Sequence, residues 1–332
     1  MSVPDLHPSG RVLLSNISAH AWEHQTDRAA LVALQQIPGF DSLLRKIVGT
    51  FGERNVTTLF TGAAVKVGPK QYSEIHESLV RVCEVLDTEV PPLYISQTPL
   101  VNAGAIGADN PIILLNSSLI ELAEPVEIET VLGHEVGHIM SDHALYRMVL
   151  MLLLQFGGRM SPLVNQAVMP ITLALLEWSR KAEISCDRAG LLSVQDLDAA
   201  MGVQAVLAGG VRGRRDQLST EAFLEQADEF RGTTGLGSYY KFMATLGASH
   251  PFPVVRAAEL RNWVDSGDYA AILEGTYTSR DDEMSPREEI GAAGRHFSDR
   301  ATKVFEDSDQ YVNDALTSFV ESAKGFFSSS DD

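Results

Sequence analysis

Residues 133–138 read Gly133-His134-Glu135-Val136-Gly137-His138, an H-E-x-x-H pattern within a stretch whose periodicity predicts a helix from Val126 to about Met148. Positions i and i+4 share one helix face, so both imidazoles can reach a single ion at about 2.0–2.1 Å. Glu135 follows the first histidine and can project toward a water at that ion as general base. The flanking Ile128, Val131, Leu132 and Ile139 would exclude solvent and strengthen the electrostatics of such a site. A match this short also arises by chance in buried helices, so the rest of the chain has to decide.

A catalytic zinc takes three protein ligands and keeps a fourth position open. The metzincin arrangement needs a glycine three residues after the second histidine and a histidine six after it, where this chain has Ser141 and Ala144. A cysteine ligand from upstream would have to be Cys83, which falls in the apolar stripe of a predicted helix over residues 72–87. What remains is a carboxylate from a later helix. Glu183-Ile184-Ser185-Cys186-Asp187 places two carboxylates one turn apart. Glu183 can ligate, while Asp187 accepts the outer N–H of a ligand histidine and fixes its tautomer. Alone, such a pair reads as a solvated acidic face; with H-E-x-x-H it reads as the other half of a site for one zinc per chain.

Of the 332 residues, 44 are acidic and 26 basic, a formal net charge of −18. That field repels phosphate backbones and anionic lipid heads, which argues against nucleic acid and leaves a polypeptide as the expected partner. Two cysteines exclude a disulfide scaffold. The opening Met-Ser-Val-Pro-Asp-Leu-His-Pro has neither a basic start nor an apolar run, so a cytoplasmic location is expected, peripheral to the inner face of the membrane at most.

The elements suggest α+β: a mostly helical chain with a small, mostly antiparallel sheet beside the H-E-x-x-H helix. Residues 1–55 form a helical N-terminal segment, with Asp27 as a candidate helix cap, and residues 56–277 a metallopeptidase domain. Strand candidates lie within residues 56–66, at Leu93-Tyr94-Ile95 and at Ile112–Leu115. Between the last two, Asn102-Ala103-Gly104-Ala105-Ile106-Gly107 is too glycine-rich for a central strand and suits an edge. Residues 148–176 are the most apolar part of the chain, but Gly157-Gly158-Arg159 splits them. Neither half reaches the roughly 20 apolar residues of a spanning helix, so two buried helices are expected and membrane association is not favoured. Residues 278–332 read as a linker and an amphipathic C-terminal helix with an acidic polar face, suited to packing back or to self-association.

These residues resemble the gluzincin zinc peptidases that include the HtpX heat-shock protease and the CAAX prenyl endopeptidase. The likeness covers roughly residues 70–262 in the family's order. Besides the two zinc segments, Asn102-Ala103 with the following residues resembles the family's N-A-x-A edge strand. Ser249-His250-Pro251, followed by Arg256, resembles its S-x-H-P…R element. The resemblance implies a metalloendopeptidase acting on unfolded or damaged proteins, with substrate extended along the Asn102–Gly107 edge. It makes His250 a candidate catalytic group, donating to the developing oxyanion or plugging the open metal position, and pairs Arg256 with a carboxylate near the site. Membrane members carry clear spanning helices that this sequence lacks, so it resembles a soluble or peripheral bacterial member. His143, five residues after His138, is expected to turn away to the surface or a cap, and Cys186 to fill core. The rival reading is a latent or inactive zinc-stabilised, chaperone-like binding module.

Overall fold

The computed structural model describes residues 5–24, 27–28, 30–31, 58, 62–107, 110–157, 162–211, 213–232 and 251–282. Its sheet has four strands, β1 (Ala64–Lys66), β2 (Leu93–Ser96), β3 (Ala103–Ile106) and β4 (Ile112–Asn116), in the order β1-β2-β4-β3. β1 pairs with β2 and β3 with β4 antiparallel, while β2 and β4 run parallel. The sheet is therefore mixed, two of its three pairings being antiparallel, and β3 lies at an edge as its composition suggested.

Side chains alternate across a strand, and here the alternation divides two cores. Ile113 and Leu115 of β4, with Leu93 and Ile95 of β2, join the larger core against helix α1 (Ser73–Val85), which buries Leu79, Val82 and Cys83. Ile112, Leu114 and Tyr94 point the other way into a smaller one. The N-terminal residues also enter the larger core, where Leu14, Ile17 and Trp22 are fully buried.

A short helix α2 (Ser117–Leu122) leads into α3 (Pro125–Met140), which carries the H-E-x-x-H residues. Pro125 opens α3, and a reciprocal capping box between Glu124 and Glu127 satisfies its first amides. The predicted helix to Met148 is interrupted: Ser141 ends α3, Asp142 turns left-handed at φ 55°, and α4 (His143–Gly157) starts in a new direction. Next comes α5 (Pro162–Val194), one helix of 33 residues, about 50 Å long at 1.5 Å per residue. It unites the second apolar half with the Glu183–Asp187 pair, which sequence reading had separated. Met148, Val149 and Leu153 of α4 and Ile171, Leu175 and Trp178 of α5 fill the smaller core. Residues 148–157 and 162–176 thus lie in two helices, and among the described residues no helix is long and apolar enough to cross a membrane.

The chain continues through α6 (Leu197–Gly209), α7 (Thr220–Gly232), α8 (Pro253–Asp265) and α9 (Asp268–Leu273). Asp196 caps α6 by accepting from the amide of Ala199 at 3.0 Å. Glycines bring α3 and α5 into near backbone contact. A Cβ at Gly133 would sit 2.0 Å from Ser193 Oγ, one at Gly137 2.6 Å from Ala189 Cβ, and one at Gly190 2.8 Å from the Thr130 carbonyl. That approach sets both histidines of α3 against both carboxylates of α5.

Candidate active site

His134, His138 and Glu183 converge from α3 and α5, all buried. The two Nε2 atoms lie 3.1 Å apart; Glu183 Oε2 is 3.4 Å from His134 Nε2, and Oε1 is 3.3 Å from His138 Nε2. Behind these donors, His134 Nδ1 meets Asp187 Oδ1 at 3.1 Å. Arg256 of α8 grips Asp187 with two donors, Nη2 to Oδ1 at 2.6 Å and Nε to Oδ2 at 2.8 Å, and Gln204 of α6 donates to Oδ1 at 3.1 Å. Burial opposes charge on both Arg256 and Asp187. Their mutual attraction outweighs it, holding the carboxyl below its ordinary range and the guanidinium above its own.

The two histidines are tuned in opposite directions. Burial works against a charge on His134, but bonding to Asp187 and Glu183 prevails and lifts it to about 9. His138 is held well below its ordinary range by burial and then by the charge of Arg147. Neighbouring titratable groups pushed apart in this way are characteristic of functional sites.

Glu135 faces the sheet. Its Oε2 accepts the backbone N–H of Ala105 on edge strand β3 at 2.7 Å and lies 3.4 Å from Arg147 Nη1. Alternate residues of a strand present their backbone groups to the same edge, so Ala103 faces the site as Ala105 does. Nothing lies within 4 Å of a Cβ built on Gly104, which leaves open space over the strand. Beside Asn102, Ala103, His134 and Glu135 a cavity of about 40 Å³ has aliphatic walls that include Leu119, Val131, Val203 and Leu207.

Three further groups escaped sequence reading. Arg147 reaches Glu135 from α4, with Nη2 3.8 Å from Glu183 Oε1; its signal was a lone cation beside an apolar run. His143 is not at the surface: it is 1% exposed, and burial depresses it to about 4. The break at Asp142 turns it back so that its Nδ1 lies 3.2 Å from His138 Nδ1. Asp27 is buried beside Ser185, and that burial raises it to about 7. Cys186 fills core as expected, a thiol kept protonated by burial. His250 and the C-terminal helix lie outside the described residues.

The sequence profile of peptidase family M48 matches residues 69–264, more than half of the chain. The chain belongs to this family. Plastoglobule-localized metallopeptidase 48, chloroplastic, of Arabidopsis thaliana is 35% identical to this M48 peptidase over 268 residues, 79% of the chain and 78% of the relative. A protease HtpX homolog of Moorella thermoacetica is 34% identical over 91 residues, 27% of the chain and 30% of the relative. Protease HtpX of Xylella fastidiosa is 28% identical over 148 residues, 43% of the chain and 49% of the relative. No solved structure matches the chain. The M48 peptidase is a metallopeptidase of the HtpX type, and the buried His134–His138–Glu183 cluster is compatible with its metal.

Proposed function

We propose that this peptidase hydrolyses internal peptide bonds of unfolded or damaged polypeptides, with one zinc ion held by His134, His138 and Glu183. What carries the reading is how closely the donors converge. Ligands about 2.0–2.1 Å from a tetrahedral zinc stand about 3.3 Å from one another; here the two Nε2 atoms are 3.1 Å apart, and each lies 3.3–3.4 Å from one oxygen of the Glu183 carboxylate, Oε2 toward His134 and Oε1 toward His138. One imidazole pair and one carboxylate, with a carboxylate behind the first imidazole, is also a donor set suited to catalytic zinc.

Zinc bound there supplies Lewis acidity toward the scissile carbonyl and toward water. The residues supply the rest. Glu135 takes the proton of the attacking water and returns it to the leaving amine. Asp187, fixed by Arg256 and Gln204, keeps the His134 proton on Nδ1 and so frees Nε2 as a donor to metal. The open edge of β3 at Ala103 accepts an extended chain through main-chain bonds, which select for unfolded substrate more than for sequence. The cavity beside Glu135 is small and is walled in part by Leu119, Val131, Val203 and Leu207, which favours a small side chain next to the cleaved bond.

The test is digestion of unfolded casein by purified protein, with and without a zinc chelator, beside the Glu135→Gln variant. Cleavage between internal residues that stops with either treatment is expected. Chelator-resistant cleavage, or undiminished cleavage by the variant, overturns the reading.

A further inference from the structure

His138 is braced differently from its partner. The Nδ1 of His134 meets a carboxylate directly, whereas the Nδ1 of His138 meets a second imidazole, His143 Nδ1, at 3.2 Å. The other nitrogen of His143 lies 3.4 Å from Asp27 Oδ2. Asp27 is itself anchored: Ser185 Oγ donates to Oδ2 at 2.6 Å and accepts the backbone N–H of His24 at 2.9 Å. His143 and Asp27 are each 1% exposed, so bulk water replaces neither link.

We propose that His143 and Asp27 are positioning residues, a two-link relay that holds His138 in register for the metal; this rests on the zinc reading above. The direction of the relay follows from counting protons. A histidine that gives its Nε2 lone pair to an ion keeps its proton on Nδ1. That proton needs an acceptor, and the atom facing it is Nδ1 of His143. A neutral imidazole that is bare at Nδ1 carries its own proton on Nε2, on the side of the Asp27 carboxylate. The reverse tautomer would set two N–H groups against each other.

Two competing readings of the same atoms are weaker. Cys186 Sγ lies 3.6 Å from His143 Nδ1, a longer contact to a poorer hydrogen-bonding group. His138, His143 and Cys186 also lie close enough together to be weighed as a metal cluster of their own. For that, His138 would have to give up both ring nitrogens at once, and the thiol, which burial keeps protonated, would have to ionise. A hydrogen-bond chain leading away from one metal needs neither.

The test reads zinc affinity, by competition with a chromophoric chelator, in the full chain. His143→Phe keeps a ring of similar size but strips the acceptor, and should weaken zinc binding about 10–100-fold, the usual cost of losing an outer support of a ligand. Asp27→Leu should act in the same direction, and Asp27→Asn, which retains an acceptor oxygen, should recover most of the loss. With His143→Phe already present, Asp27→Leu should change affinity less than about threefold, because the link is already cut. Wild-type affinity in His143→Phe, additive losses in the double variant, or equal loss of thermal stability with and without zinc at unmoved affinity would each overturn the relay. Should these variants fail to fold, nitrogen-15 NMR of the zinc-loaded wild-type chain decides: His143 is expected as the Nε2–H tautomer, and an Nδ1–H signal overturns the proposal. A wild-type chain that binds no zinc overturns the zinc reading and the relay together. Zinc binding untouched by these changes overturns the relay alone.

Discussion

Gly137 lies between the two histidines of α3, and a methyl group there offers the sharpest test of how the site is assembled. In Gly137→Ala the new Cβ would stand 2.6 Å from Ala189 Cβ, which is rooted in the α5 backbone and cannot swing aside. Carbon atoms rest about 3.5–4.0 Å apart, so the helices must separate locally by about 1 Å. Glu183 and Asp187 travel with α5, His134 and His138 with α3, and metal–ligand distances tolerate only about ±0.2 Å. Stability alone is a blunt readout, because alanine favours a helix over glycine by up to about 1 kcal/mol while overpacking costs about 1–3 kcal/mol. Zinc affinity has no such offset. It should fall at least tenfold in Gly137→Ala, as measured by chelator competition, and return toward wild type when Ala189→Gly restores the space. Unchanged zinc affinity in the single variant would refute the claim that helix approach sets the metal geometry.

Glu135→Gln should retain zinc and fold while internal peptide cleavage falls below detection, since only the proton acceptor is lost; metal analysis beside a casein digest checks both halves. His134→Ala and Glu183→Ala should each lose most of the roughly one zinc per chain expected of a three-ligand site, and full occupancy in either would remove that residue from the ligand set. Away from the site, Arg11 reaches Glu129 at 2.6 Å and Arg81 Nε at 3.0 Å; burial opposes the charge, yet these arginines hold the carboxyl below its ordinary range. Its contribution is therefore present above the ordinary glutamate pKa, near 4.3, and lost as pH falls through the lower folded value. Urea midpoints across that acidic window should decline more steeply in wild type than in Glu129→Gln, and parallel declines would contradict the assignment.

Much of the site was legible because helix and strand periods are local. H-E-x-x-H and the Glu183–Asp187 pair each declare one helix face, and the small residues of 102–107 declare an edge. Arg256 could be read only through the resemblance, yet its partner is the carboxylate type expected. What stayed hidden depends on geometry without a local pattern. A single left-handed residue, Asp142, reverses the direction of His143, and no periodicity announces such a turn. Asp27 meets Ser185 across the fold, a pairing that neither segment encodes alone. The long α5 was divided in reading because its apolar and acidic portions differ in composition, while its backbone runs through both.

The burial of Leu14, Ile17 and Trp22 bears on how this peptidase can be cut down for study. A fragment trimmed to the family match, residues 69–264, would discard all three together with Asp27. Losing large core side chains costs about 2–5 kcal/mol each, so three of them approach the whole net stability of an ordinary domain, about 5–15 kcal/mol. The span matched by the family profile is shorter than the span that must be synthesised before this protein can hold its shape.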